Sequence, residues 1–191
     1  MEITLRTLLT KPGQFFANFS DLPPKWIIAY IGYYLVTFIE AVGNLADRDL
    51  SVSITTILYR SIFSSLWGAI ANLFFFGILW MYLGSKIFGG RAPIKDTVQA
   101  VGYAFLYPGI ISLITVPLTL LSAGYGNETS EGLGLICLLL PLQLVLGIAA
   151  LLYSGIAIKQ LNGFGWLKTL GVLVWFPLLI IGFVIIISII R

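Results

Sequence analysis

Apolar residues in this chain come in long blocks, each separated from the next by a short polar stretch. Five blocks reach the length of a membrane span: residues 26–45, 64–83, 98–122, 133–158 and 167–190. A block of that size rises ~30 Å as a helix, one hydrocarbon thickness. The pattern therefore predicts an all-α integral membrane protein. Residues 26–191 form a bundle of five transmembrane helices, and residues 1–25 form a lead of short amphipathic interfacial helices.

The lead has its own periodicity. Leu5, Leu8 and Leu9 recur at helical spacing, and Phe15, Phe16 and Phe19 follow on one face behind Pro12. Pro12 suits the first turn of a helix, where its missing N–H is not needed. Both pieces are too short to span, so they are expected in the interface with the phenylalanines in the acyl boundary. The stretch "SDLPPKWIIAYIGYY" then turns the chain from along the membrane to across it. Pro23 and Pro24 stop the interfacial helix, and Pro24 can open the next one. Asp21 can cap that helix, and Trp26 suits the aromatic belt. Further on, residues 52–61 alternate apolar side chains with Ser, Thr and Arg60. They are expected to lie on the outer interface or to extend the second helix out of the membrane.

Polar residues inside the spans are also periodic. Tyr33, Thr37, Glu40 and Asn44 share one face of the first span, opposite Ile31, Leu35, Phe38 and Val42, which suit lipid. Ser61, Ser65, Gly68 and Asn72 share one face of the second. Small and hydrogen-bonding residues favour close helix contact in membranes, so the two polar stripes are expected to meet. An ionisable residue in a span is a functional candidate by default. Glu40 lies near the outer end of its span, however, and the second span returns from that side near Arg60. A structural Glu40–Arg60 ion pair is expected. Gln143 in the fourth span is the other polar group that could line a cavity with Glu40 and Asn72. Pro108 and Pro117, Pro141 and Pro177 interrupt the last three spans, and each should kink its helix.

Composition narrows the chemistry. Only 10% of residues are charged, against roughly 25% in soluble domains. There is no histidine, which removes imidazole-based nucleophile pairs and metal sites. Cys137 is the one cysteine, so no intrachain disulfide can form; its apolar surroundings suggest a buried, inert thiol. No phosphate loop, catalytic set, cofactor or metal site is read, and no dense basic patch suggests nucleic acid. No cleavable signal peptide is evident, because the first apolar run is long enough to stay as an anchor. Eight basic residues fall in the lead and the loops on its side of the membrane, against three on the other side. The positive-inside rule places the N-terminus in the cytoplasm and the C-terminus outside. A glycosylation sequon, Asn127-Glu128-Thr129, falls on that outer side.

Three stretches together resemble the Yip1 domain family. "DLPPKWI" supplies Asp21, Leu22, Pro24, Trp26 and Ile27 of a motif that enters span one. "VGYAFLYP" supplies Gly102 and Tyr103, then Pro108, of a span-three motif; "LLTKPGQFF" resembles the opening of prokaryotic members. The resemblance implies a five-span bundle with a cytoplasmic N-terminus. It also implies a non-enzymatic membrane organiser or adaptor, in membrane trafficking or membrane protein assembly, whose partners are the lipid bilayer, itself or other membrane proteins. The alternative from the residues is a small carrier, channel or lipid-moving protein using a polar intramembrane cavity. About 25 residues precede span one, where eukaryotic members have a long region linked to Rab-type GTPases. That partner is not carried over. The membrane implied is the cell membrane for a prokaryotic member and an endomembrane for a eukaryotic one.

Overall fold

A computed structural model describes residues 5–21, 26–48, 53–125 and 129–190. Among these every element is helical. The lead forms α1 (Leu5–Thr10), α2 (Pro12–Ala17) and a 3-10 turn (Phe19–Asp21), with Pro12 in the first turn of α2. The bundle is α3 (Trp26–Arg48), α4 (Ile54–Asn72), a π-helical stretch (Leu73–Tyr82), α5 (Leu83–Ile87), α6 (Ile94–Ser112), α7 (Thr115–Tyr125), α8 (Ser130–Asn162) and α9 (Trp166–Ile190). Leu22, Pro23, Pro24 and Lys25 lie outside the described residues, as do the Asp21 side chain and the sequon residues Asn127 and Glu128. The capping and turn roles expected of them fall there too.

Among the described residues four helical stretches are long and apolar enough to cross a membrane: Trp26–Leu45, Ile54–Ile87, Glu131–Asn162 and Trp166–Ser188. α6 and α7, bent by 54° where they meet, are together long and apolar enough to make a fifth, broken span. The chain is thus an integral multi-pass membrane protein. Local rules explain the ends. Ser53 caps α4 by accepting from the Thr56 N–H, and Thr129 caps α8 by accepting from Gly132. Gly163 ends α8 in the left-handed region at φ 63°, where glycine carries no Cβ penalty.

Two expectations need correction and two are refined. Of the two placements open to residues 52–61 the second holds: from Ile54 they extend the second span, in one 34-residue helical run ending at Ile87. No glycine or proline falls between Ile54 and Trp67 to break it. α3 has no complete lipid face, because it is the central helix, with α4, α6 and α7 against it. Ile31 is exposed, but Val42 is buried and Leu35 packs on Gly109 of α6. Cys137 is exposed on α8 rather than buried. The prolines also differ in effect. The third span breaks between Pro108 and Pro117, whereas α8 and α9 run on as helix through Pro141 and Pro177.

α6 is the most enclosed helix; residues Thr97–Leu106 are all buried. Its small residues make that possible. A Cβ on Gly32 of α3 would collide with the Gly102 carbonyl, and one on Gly102 would lie 2.5 Å from the Ala29 carbonyl oxygen. The two backbones touch, which is how membrane helices gain dispersion contact without a hydrophobic driving force between them.

Candidate functional site

Two of the three family-like stretches, the one in the lead and the one in α6, meet at one end of the bundle beside the first turn of α3. Leu8, Phe15, Phe16 and Phe19 pack with Ala29, Ala100, Tyr103, Ala104 and Ala157 in a single core. Phe15 and Phe19 lie 5.6 and 5.4 Å from the Tyr103 ring, centroid to centroid. Phe16 is wholly buried. This corrects the interfacial reading: the phenylalanines fill a protein pocket rather than the acyl boundary. The alanines of α6 and α8 leave the space that they fill. Trp26, at the start of α3, stays about half exposed.

The polar stripes of α3 and α4 do meet. Thr37 packs on Gly68, and Asn72 Nδ2 donates to Thr37 Oγ1 at 2.9 Å. Thr37 in turn donates to the Tyr33 carbonyl, and the buried Tyr33 hydroxyl donates to the Val98 carbonyl of α6 at 2.9 Å. Tyr30 donates to the Leu66 carbonyl at 2.8 Å. Ser65 is buried and donates within α4 to the Ser61 carbonyl. The expected Glu40–Arg60 pair does not form, because the Asn72 amide is the group beside the Glu40 carboxylate. The register explains this. Arg60 lies ~18 Å along the helix axis from Asn72, beyond Glu40 towards the far end of α3.

Glu40 instead faces a cleft of about 400 Å³ between α3, α6 and α8. Asn44, Ser112 and Gln143 bring further polar groups to it, and Pro108, Gly43, Gly109 and Gly147 also line it. The lining contains one carboxylate and no basic side chain. Glu40, Asn44 and Gln143 are all exposed there. Such a set can accept hydrogen bonds and hold positive charge, but it contains no nucleophile–base pair. Among the described residues no three His, Cys, Asp or Glu side chains gather as metal ligands. Ser112 and the two open glycines were not singled out from the sequence. The signal was present: Gly43 lies three residues after Glu40, and Gly147 lies four after Gln143, on the same helical faces.

A second feature without a sequence signal braces the opposite flank. Trp80, in the π-helical stretch, donates from Nε1 towards the Val172 and Leu173 carbonyls of α9, and Trp175 Nε1 donates back to the Trp80 carbonyl at 2.9 Å. A π-helical turn displaces the backbone from the α register and is frequent at functional sites. Here it leaves the Trp80 carbonyl able to accept from α9. Gly84 provides the space, since a Cβ there would collide with the Trp175 indole.

Among curated proteins and solved structures, none matches this chain significantly. The model of the Yip1 domain matches residues 6–189, from the docked lead through nearly the whole of α9. The corner around Phe16 and Tyr103, the span pattern and this match agree, and the chain belongs to the Yip1 domain family.

Proposed function

We propose that this chain is a non-enzymatic membrane organiser or adaptor, acting in membrane trafficking or membrane protein assembly by lateral association with itself or with other membrane proteins. The observation that carries the reading is the flank formed by the π-helical stretch and α9. Phe75, Phe76, Trp80, Phe176, Pro177, Ile180 and Ile181 surround an entirely apolar cleft of about 360 Å³, shaped to receive side chains of another helix. The Trp80–Trp175 brace fixes the walls of that cleft. The basic loops orient the chain with its N-terminus in the cytoplasm and its C-terminus outside.

The test is site-directed crosslinking in native membranes, with Cys137 replaced by serine and a cysteine placed at Phe75 or Ile181. Discrete adducts with a second copy or with defined membrane proteins are expected, and an uncrosslinked monomer at both sites would overturn the reading. Cysteines at Lys95 and Asn127 test orientation. Only the latter should react with an impermeant reagent applied from outside.

The cleft at Glu40 favours a second reading, a small carrier or lipid-moving protein. Asn72 is bonded to Thr37, as in a dry helix interface, but Glu40 and Gln143 face open space. Solute flux and lipid scrambling in reconstituted vesicles decide this. No movement above empty vesicles across ions, amines and phospholipids would exclude the carrier.

A further inference from the structure

We propose that the cleft between α3, α6 and α8 binds an ammonium group, with Glu40 as its counter-charge. This deepens the second reading by naming a ligand class, and it concerns binding alone. Three observations lead there. The first is depth. Glu40 lies ~21 Å along α3 from Trp26 and ~12 Å from Arg48. Gln143 lies ~20 Å from the start of α8. Both belong to the part of the bundle that faces the bilayer. The second is exposure: Glu40, Asn44 and Gln143 open into the cleft rather than into the protein. Polar groups facing hydrocarbon are costly, and a carboxylate with one amide for a partner most of all, so a polar occupant would relieve that cost. The third is charge. Arg60 is out of reach along α4, no basic side chain lines the cleft, and Asn72 offers Glu40 only a neutral amide.

An occupant that satisfies this wall brings one positive charge and several N–H donors. An ammonium head group does both. Its charge meets Glu40, and the side-chain oxygens of Asn44, Gln143 and Ser112 can accept its remaining protons. The volume of about 400 Å³ exceeds what a bare cation needs and admits a small head group with the start of its chain. Gly43 and Gly147 preserve that volume, because a Cβ at either would meet nothing within 4 Å. The ammonium could come from an aminophospholipid or from a free amine.

The experiment uses the full chain in detergent and native mass spectrometry with titrated phosphatidylethanolamine. Glu40→Gln keeps the shape of the side chain and removes its charge; Gly147→Val fills the cleft from its open side. Glu40→Gln should weaken phosphatidylethanolamine binding roughly ten-fold, the loss expected for one charge-assisted hydrogen-bonded contact, and Gly147→Val should weaken it by excluding the head group. Thermal melting identifies a variant that fails to fold, and the other variant then decides. Binding equal to wild type in a folded Glu40→Gln protein overturns the proposal. Displacement of the lipid by millimolar free ethanolamine supports an ammonium site open to free amines, and lipid bound without displacement supports a lipid site. Ammonium binding without flux in vesicles upholds this inference and sinks only the carrier reading.

Discussion

Glycines line both the corner around Tyr103 and the cleft around Glu40, to opposite effect. At the corner, Gly32 and Gly102 let two backbones touch, and any Cβ would strike main chain. At the cleft, Gly43 and Gly147 leave space that nothing in the bundle fills. The corner also takes four large side chains from the lead and buries them, whereas the cleft leaves its polar side chains open. The contrast separates two uses of small residues in a membrane. One tightens helix contact; the other keeps a volume free. A glycine in a span reveals which use applies only once its neighbours are known.

The largest expected effect tests the tight half. Gly102→Leu should prevent recovery of a folded monomer in detergent, because the added side chain meets the Ala29 backbone and has no rotamer that avoids it. A folded protein by size exclusion and circular dichroism would refute the contact. Next, Phe16→Ala should cost about 3–5 kcal/mol in a reversible unfolding assay, as for a buried aromatic in a protein core. Had Phe16 rested in lipid, the same change would leave bundle stability nearly unaltered. Trp175→Phe removes the N–H to the Trp80 carbonyl and should cost about 1 kcal/mol, with faster amide exchange along the π-helical stretch. The smallest effect sharpens the open half. Gly147→Ala should be neutral, or stabilise by a few tenths of a kcal/mol up to ~1 kcal/mol, since Ala favours helix and the methyl enters free space. A melting temperature far below wild type would mean that the volume at Gly147 is filled.

The span pattern was legible because a bilayer imposes length and apolarity together, and the blocks in this chain obey both. The Thr37–Asn72 contact was legible too, since polar residues spaced four and three apart in adjacent helices have few other places to turn. What surrounds Phe16 was not. A row of phenylalanines on a short helix reads the same whether it meets acyl chains or Ala100 and Ala104, because lipid and protein interior are equally apolar. Arg60 misled for a different reason. It comes from the same side of the membrane as Glu40, but helix register decides partners, and α4 slides so that Asn72 arrives instead. The π-helical stretch, LFFFGILWMY, is apolar on every face and carries no period from which its departure could be read.

The docked lead bears on how this molecule is made. Phe16 shares its core with Tyr103 and Ala157. At the usual pace of synthesis, the last of these leaves the ribosome on the order of ten seconds after the first. During that interval the phenylalanines have no protein surface to cover them, and the membrane boundary is the apolar shelter at hand. The interfacial placement that the sequence suggests can thus describe a stage of biogenesis, with closure of the corner marking the completed bundle. Phe16 would then report assembly. In a pulse-chase experiment, its protection from protease or from a lipid-soluble quencher should rise only after α8 has been inserted.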